Sequence, residues 1–417
     1  MMIVKSETPS AGARAFLPLL LCALVMCIDG YDLYALPLVV PHLSAQLGVP
    51  PQSFGVALSA VLLGLGLGAV LIAPIGDRVG RRPVILTASA LMAFTSLGTA
   101  AGGTVTGFAL WRLATGLSLG ACLPNVTALV AELAPPGKSA RTLTVVSMGI
   151  SAGGIVAGLL APPLIAAGGW QALFMAGGAA TLALLGVLAW QLPESPTFRN
   201  RARQPREKKN SIAFVQLLSP PLLFSTVLFA GLYAVNALVL YYVTSWVPTI
   251  LPLAGFSMDT ASRFLSLIQF GGLTIGLGLS LLLDRGWAVP AIVGTYSSAV
   301  VALLLLGVVA PGLWSWGVLL LVAGGGISAA HLVVMAVAVG FFPPHLRSSA
   351  IGIAVAVARL GAIGGPMLGG LVIGAGASTS LFFVLAVAPA CLCIVGALLI
   401  SRALRIAKAM TEADAFA

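Results

Sequence analysis

The sequence predicts an all-α integral membrane protein in which twelve transmembrane helices form two pseudo-symmetric six-helix bundles. Composition is the first reason: of 417 residues, 59% are hydrophobic and 8% are charged, whereas soluble proteins have about a quarter of their residues charged. Second, apolar runs of the length that spans a bilayer, about 20 residues in a helix, recur along the whole chain. Third, loop motifs of the first half recur in the second half at an offset of about 208 residues.

Clusters of glycine and proline, together with the charged residues, divide the chain into twelve predicted spans. The spans are 16–42, 54–75, 83–101, 105–134, 141–167, 170–192, 220–250, 262–283, 288–309, 313–342, 348–374 and 378–401. Residues 1–15 and 402–417 are predicted to be tails. A polar linker, 193–219, is predicted to separate an N-terminal bundle, 16–192, from a C-terminal bundle, 220–401.

The basic residues predict the orientation of the spans. With the N-terminus inside, 18 of the 21 Lys and Arg residues fall in cytoplasmic tails and loops; the others are Arg112 and Arg359, inside spans, and Arg263. Cytoplasmic loops are enriched in Lys and Arg. We therefore expect a multi-pass protein of the plasma (inner) membrane with both termini cytoplasmic. The net charge of +10 does not indicate nucleic-acid binding, because the basic residues are scattered through short loops without interleaved aromatic side chains.

The two halves of the chain repeat the same loop motifs in the same order. GDRVGRRPVI at 76–85 corresponds to LDRGWAVPAI at 283–292, and APPGKSAR at 134–141 corresponds to FPPHLRSS at 342–349. The glycine-rich span after APPGKSAR has its counterpart in GAIGGPMLGG at 361–370. Two parallel six-helix repeats with the binding site between them are a plan typical of transporters.

Two carboxylates, Asp29 and Asp32, interrupt the apolar run of the first span. A charge at the bilayer centre is costly unless it is paired, hydrated or neutralised. The i, i+3 spacing places both residues on one helix face, where like charges disfavour each other's ionisation. We therefore predict that at least one of them couples transport to protons. The alternative, for one of the pair, is a structural carboxylate that is hydrogen-bonded to a neighbouring helix.

The loop APIGDRVGRRP (73–83) concentrates charge after the second span and matches G-x-L-A-D-R-x-G-R-R/K, the signature between helices 2 and 3 of the major facilitator superfamily. Asp77 can pair with nearby arginines or with the positive N-terminus of a facing helix such as span 11, which would latch the cytoplasmic side shut. The alternative is a basic turn that only anchors topology. Glu132 is expected to pair with Lys138 or Arg141. The predicted cytoplasmic gate consists of Asp77, Arg78, Gly80, Arg81, Arg82, Glu132, Arg141, Asp284 and Arg347.

Four further stretches resemble the aromatic acid:proton symporters of that superfamily, over nearly the whole chain. DGYD (29–32) is similar to the D-G-F/Y-D of their first helix, and RLATGLSLGACLPN (112–125) to the pattern of their helix 4. VLYYVTSWVPTIL (239–251) and RLGAIGGPMLGG (359–370) resemble their helices 7 and 11. The resemblance implies a secondary transporter rather than an enzyme, which imports a small aromatic carboxylate of the benzoate or hydroxybenzoate type by symport with protons and alternating access between the bundles.

Two arginines inside spans, Arg112 and Arg359, equal the two aspartates in number. A guanidinium can donate two parallel hydrogen bonds to a carboxylate. Either arginine could hold an organic acid, or hold an aspartate until the substrate displaces it; Arg112 could instead be a structural counter-ion. The other candidate substrate-binding residues, for each of which packing is the alternative, are His331, Asn125, Asn236, Tyr241, Trp246 and Gln269. Departures from the family pattern at His331, where Gln is common, and at Phe342, where a Tyr-Pro is usual, bear on substrate identity.

Other classes of function have less support in the sequence. The three histidines lie in different spans or loops and form no metal-binding motif, and no nucleotide-binding loop or hydrolase signature is present. We expect no cofactor beyond the proton as coupling ion, and a monomer in the lipid bilayer with a small organic anion as its partner. The alternatives are a proton-coupled exporter of drugs or other metabolites, a symporter of a non-aromatic organic anion, and a transport-inactive sensor or scaffold. Two buried arginines beside two buried carboxylates suit an anion better than a cationic drug.

Overall fold

The computed structural model describes residues 11–135, 137–201, 216–220, 222–342 and 346–414. Within them, twelve helices are long and apolar enough to cross a membrane, which confirms the predicted fold class. The helices are α1 (Ala11–Leu47), α2 (Gly55–Leu71), α3 (Arg81–Ala100), α4 (Val105–Leu133), α5 (Ser139–Gly168), α6 (Gln171–Gln191), α7 (Leu223–Ile250), α8 (Met258–Asp284), α9 (Ala288–Val308), α10 (Leu313–Leu320 and Gly326–Phe341), α11 (Arg347–Gly374) and α12 (Thr379–Leu385 and Val387–Asp414).

Helix ends follow the polar and glycine positions of the sequence. Thr104, Ser257 and Ser378 each accept a hydrogen bond from a backbone N–H in the first turn of α4, α8 and α12, respectively. Such caps satisfy donors that have no partner within the helix. α1 extends five residues beyond the predicted end at 42, to Leu47, and contains Pro37 and Pro41. Prolines are tolerated inside spanning helices because neighbouring groups satisfy the freed backbone carbonyls.

The predicted linker is only partly covered by the described residues. A short helix, Pro196–Arg201, follows α6, whereas residues 202–215 of the predicted linker lie outside the described part of the chain. The predicted C-terminal tail begins as a continuation of α12, which runs to Asp414.

The two halves of the molecule use the same pairing of helices. In the first half α1 packs on α5, α2 on α4 and α3 on α6; in the second half α7 packs on α11, α8 on α10 and α9 on α12. Each pairing in one half reappears in the other with both helix numbers raised by six. The repeated Asp-Arg loop motifs show the same repeat in their backbone. Each is followed by a glycine with positive φ, Gly80 at 105° and Gly286 at 80°.

Small residues allow the closest of these contacts. A methyl group at Gly361 of α11 would fall on the backbone carbonyl of Ala234 of α7. The equivalent contact in the first half is between Gly153 of α5 and the carbonyl of Cys27 of α1. In a lipid environment helices associate through such close packing rather than through a hydrophobic driving force.

The apolar cores show where the two bundles meet. At the end of the molecule where α1 and α7 finish, one buried cluster runs through both bundles and includes Leu43, Phe54, Trp246 and Phe264. At the other end, where the Asp-Arg loops lie, each bundle has its own cluster. A small shared cluster at mid-depth joins α2 to α7 and α11 and includes Ala358. The bundles are therefore joined from one end to mid-depth and have separate cores at the charged end.

Candidate functional site

An ion pair occupies the interior of the N-terminal bundle. The Nη1 atom of Arg112 lies 2.8 Å from Oδ2 of Asp32, and its Nη2 donates to the backbone carbonyl of Asp32 at 2.8 Å. Ser96 Oγ donates to the other carboxylate oxygen of Asp32 at 2.8 Å. The Arg112 guanidinium also lies 5.8 Å from the centre of the Phe174 ring. Arg112 has no exposed surface. In this conformation it is therefore paired with Asp32 and inaccessible to a ligand.

Asp29 lies one turn earlier on the same helix, in a different environment. Its side chain is buried, and neither carboxylate oxygen has a hydrogen-bond partner among the described residues. Asp32 and Cys122 are near enough to interact with it electrostatically. An unpaired carboxylate in a buried position is stable only if it is protonated or gains a partner. Asp29 is therefore suited to exchange a proton.

Arg359 lies where the shared core of the two bundles ends, next to Ala358 on α11. Its aliphatic stem packs beside Gly66 of α2, where an added methyl group would lie 3.4 Å from Arg359 Cγ. The guanidinium forms no hydrogen bond or ion pair within the described part of the chain. It is close enough to Tyr233, Tyr241 and His331 to interact electrostatically with each. This is a partly exposed cation among ring-bearing side chains, without an anionic partner in the part of the chain that the structure describes.

His331 of α10 is held in place by α7. Its Nδ1 lies 2.6 Å from Oδ1 of Asn236, and its ring stacks on Tyr233 with 4.0 Å between the ring centres. Asn236 is fully buried and uses its amide nitrogen to donate to the hydroxyl of Tyr296 at 2.9 Å and to the carbonyl of Ile327 at 3.2 Å. Asn236 and His331, both predicted as substrate-binding residues, are thus in direct contact.

A further contact crosses from one bundle to the other. Gln269 of α8 and Tyr34 of α1 lie close together, because both side chains lie against Gly154 of α5. Tyr34 and Tyr241 line the same small cavity between the bundles. Residues of both bundles therefore meet directly beyond Arg359, toward the end where the cores are joined.

The charged end of the N-terminal bundle has its own network. Arg81 forms an ion pair with Glu132, and the backbone N–H groups of Arg81 and Arg82 donate to Oε1 of Glu194 at 2.9 and 3.2 Å. The expectation that Glu132 pairs with Lys138 or Arg141 is wrong. The positive φ of 105° at Gly80 turns the chain so that α3 starts opposite the end of α4, which brings Arg81, rather than the following loop, to Glu132.

Among the described residues, the predicted gate residues Asp77, Arg78 and Arg141 take no part in that network. Asp77, Arg78 and Arg141 are exposed, and none of them forms an ion pair with a residue that the structure describes. Arg82 donates a side-chain hydrogen bond to the carbonyl of Ala189. Arg347 is partly buried at the start of α11, and the side chain of Asp284 lies outside the described part of the structure.

The family follows from a comparison with known sequences: residues 22–330 match the model of the Major Facilitator Superfamily. The chain belongs to this superfamily. It is therefore an integral membrane transporter rather than an enzyme. Among the residues that the structure describes, no three His, Cys, Asp or Glu side chains are grouped so that they could hold a metal ion.

Several characterised members of the superfamily are similar over nearly the full length of the chain. The gallate transporter of Pseudomonas putida is 30% identical, over 91% of this chain and 90% of its own. The 4-hydroxybenzoate transporter PcaK of the same organism is 30% identical, over 90% of each chain. The 3-(3-hydroxy-phenyl)propionate transporter of Escherichia coli (strain K12) is 32% identical, over 90% of this chain and 92% of its own.

Solved structures of superfamily members share the fold. A bacterial homologue of the human lysosomal transporter Spinster, in an inward-facing and unoccupied conformation, superimposes with a TM-score of 0.74 at 17% identity, covering 94% of this chain and 98% of its own. A D-xylose-proton symporter gives a TM-score of 0.72 at 19% identity, covering 92% of this chain and 96% of its own.

Two predicted substrate-binding residues, Asn125 and Trp246, form hydrogen bonds with backbone carbonyls. Asn125 donates to the carbonyls of Ala73 and Ala121 and so fastens α4 to the chain beyond α2. The indole N–H of Trp246 donates to the carbonyl of Pro366 at 2.9 Å, within the part of the core that is shared by the bundles. Neither contact involves Arg359 or His331.

Sequence reasoning missed Tyr34 and Glu194. Tyr34 lies two residues after Asp32 in the apolar first span, where an aromatic residue gives no signal that separates a site from a core position. Glu194 lies at the start of the polar linker, where an acidic residue among many basic ones could have been recognised as a partner for the charged loop.

Proposed function

We propose that this protein imports a small aromatic carboxylate, of the benzoate or hydroxybenzoate type, by symport with protons. The characterised relatives named above are transporters of gallate, 4-hydroxybenzoate and 3-(3-hydroxy-phenyl)propionate. Each of these compounds carries a carboxylate on or near a hydroxylated ring. A site for them needs a cation for the carboxylate and flat apolar or aromatic surfaces for the ring.

The observation that carries the proposal is that Arg359 has no ion-pair partner among the described residues. A guanidinium in a membrane protein interior needs an anionic partner, and Arg359 has none among the described residues, although it lies between the bundles. A substrate carboxylate would accept two parallel hydrogen bonds from it. Tyr233 and Tyr241, which are near the guanidinium, would pack against the ring of the substrate.

Protons are proposed to enter through Asp29 and Asp32. Asp29 is buried and without a hydrogen-bond partner among the described residues, so a proton on its carboxyl group stabilises it where it stands. Asp32 is balanced by Arg112 and can take up a proton only if that ion pair loosens. Asp29 is therefore the first proton carrier in this conformation, and the ion pair is the second group that protonation could change.

Orientation completes the proposal. The positive-inside prediction places the Asp-Arg loops and both termini in the cytoplasm of a cell whose plasma membrane holds the transporter as a monomer. The separate cores of the bundles then face the cytoplasm, and the shared core closes the external side. In alternating access, the contact between the two bundles would move from the external half of the molecule to the cytoplasmic half. Export of cationic drugs is disfavoured because Arg359, which has no ion-pair partner among the described residues, would repel a cation.

Uptake by proteoliposomes tests the function. Radiolabelled 4-hydroxybenzoate should accumulate against its gradient when the lumen is alkaline, and a protonophore should abolish accumulation. Arg359→Lys keeps the charge but loses the two-pronged hydrogen bonding, so uptake should fall about tenfold or more. Arg263→Lys is the matched control, because Arg263 is exposed at the start of α8, and it should transport normally.

Two results would count against the proposal. One is accumulation that is the same with and without a proton gradient. The other is an Arg359→Ala protein that binds the acid as tightly as the parent protein does, which would make Arg359 a structural counter-ion.

A further inference from the structure

The orientation of the Asn236 side chain fixes the position of a proton on His331. The backbone carbonyl of Ile327 can only accept a hydrogen bond, and it lies 3.2 Å from one terminal atom of the Asn236 amide. That atom must therefore be the NH₂ group, which also donates to Tyr296. The carbonyl oxygen of the amide then faces Nδ1 of His331 at 2.6 Å.

An amide oxygen accepts but does not donate, so Nδ1 of His331 carries a hydrogen atom. In a neutral imidazole the other nitrogen, Nε2, is then a bare acceptor. A second positive charge beside Arg359, which interacts electrostatically with His331, would be repelled. The neutral ring with Nε2 as acceptor is therefore the form that this arrangement favours.

The Nε2 atom is available to a ligand. It forms no hydrogen bond with any residue in the described part of the chain, and it is not among the fully buried polar atoms that lack a partner. The side chain is partly exposed, and stacking on Tyr233 at 4.0 Å together with the bond to Asn236 keeps the ring from turning. A rigid acceptor thus lies near a cation, Arg359, with which His331 interacts electrostatically.

We propose that His331 is a specificity-determining residue, whose Nε2 accepts a hydrogen bond from a ring hydroxyl group of the transported acid while Arg359 binds the carboxylate. This inference rests on the proposed function. It predicts that the protein prefers hydroxylated aromatic acids over acids whose ring bears no donor, because an acid without a hydroxyl leaves the acceptor unpaired.

Binding of four acids to the purified protein tests this preference: benzoate, 3-hydroxybenzoate, 4-hydroxybenzoate and 4-methoxybenzoate, measured by calorimetry. At least one hydroxybenzoate should bind about 10- to 100-fold more tightly than benzoate. The methoxy compound has the same oxygen but no hydrogen to donate, so it should not share the advantage.

Variants at position 331 separate hydrogen bonding from packing. His331→Phe retains a ring that can stack on Tyr233 but has no acceptor, so the ratio of hydroxybenzoate to benzoate affinity should fall to about one. His331→Gln restores an acceptor oxygen and should recover part of the ratio. A ratio that is unchanged in His331→Phe would overturn the inference.

The protonation state can be observed directly by ¹⁵N NMR of histidine-labelled protein. The chain has only three histidines, so the signals of His331 can be assigned by their absence from His331→Phe. The Nδ1–H form is expected, and an Nε2–H form would overturn the inference. A parent protein that binds none of the four acids would refute the proposed function as well, whereas equal binding of all four would refute only the role of His331.

Discussion

Asp29 and Asp32 allow the same substitution to be made in two environments on one helix. Asp32→Asn replaces the carboxylate that balances Arg112 with an amide. The amide oxygen can still accept from Ser96, but its NH₂ group would then face the guanidinium, which also only donates. Asp29→Asn removes a carboxyl group that has neither an ion pair nor a hydrogen bond within the described residues. We expect the first variant to be much less stable than the second.

The size of the difference follows from the burial of Arg112, which has no exposed surface. Removing one partner of a buried ion pair costs about 3–5 kcal/mol. Arg112 keeps its bond to the backbone carbonyl at position 32, so we expect the lower end of that range, about 3 kcal/mol. This corresponds to a fall of roughly 5 °C or more in the apparent melting temperature. Asp29→Asn should stay within about 1 kcal/mol of the parent.

Thermal unfolding of the purified protein measures this difference. A thiol-reactive fluorophore is a suitable probe, because Cys22, Cys122 and Cys393 are buried and become accessible on unfolding. The double variant Asp32→Asn/Arg112→Gln removes both charges and should recover at least half of the lost stability. Equal melting temperatures for the two single variants, or no recovery in the double variant, would refute the reasoning.

Three other predictions follow from the fold. Asp77→Asn should lower transport but leave equilibrium binding of the acid intact, because Asp77 is exposed and unpaired among the described residues of this conformation; normal turnover would exclude a latch. Gly361→Leu should cost more than about 2 kcal/mol in thermal unfolding, since a side chain would fall on Ala234, whereas Gly352→Leu, with open space around it, should unfold like the parent. A reporter fused within 194–211 should report cytoplasm and one near residue 46 the outside; the reverse pattern would contradict the assigned orientation.

The fold could be predicted from the sequence because lipid leaves few alternatives. Spanning helices must satisfy their own backbone hydrogen bonds, so hydropathy identifies them, and the repeated loops predict a twofold arrangement. Helix ends were less predictable. α1 continues to Leu47, whereas the predicted span ends at 42, beside Pro41.

The site was predicted less completely, because composition identifies residues of the right chemical type but not their contacts. Arg112 and Arg359 look alike in the sequence, each an arginine inside an apolar span. Their difference depends on one distance, the 2.8 Å from Arg112 to Asp32, which links residues 80 positions apart. Asn125 and Asn236 differ in the same way: one fastens helix to backbone, and the other orients His331. Such assignments depend on tertiary packing that no local pattern specifies.

The placement of the charges also suggests why acid and proton would move together, and this yields a last prediction. In the proposed mechanism the substrate carboxylate neutralises Arg359, and the proton neutralises Asp29. An acid without a proton would leave Asp29 as an unpaired anion when the bundles close, and a proton without an acid would leave Arg359 as an unpaired cation. An uncompensated charge in a closed interior costs at least about 3 kcal/mol, which suppresses either half-loaded form about 100-fold. In the proposed mechanism the empty carrier closes with Arg359 paired to ionised Asp29, so that neither charge is left uncompensated.

Asn at position 29 is permanently neutral, as protonated Asp29 is. Asp29→Asn should therefore exchange labelled 4-hydroxybenzoate for unlabelled acid across the membrane, because the loaded carrier has no unpaired charge. Net uptake driven by a pH gradient should be lost, because the empty variant would have to return with Arg359 uncompensated. The measurement is the ratio of counterflow to gradient-driven uptake in the same proteoliposomes, with Arg263→Lys as the control. Net uptake at the parental rate in Asp29→Asn would remove this carboxyl group from the proton path, since an amide cannot carry the proton through the cycle.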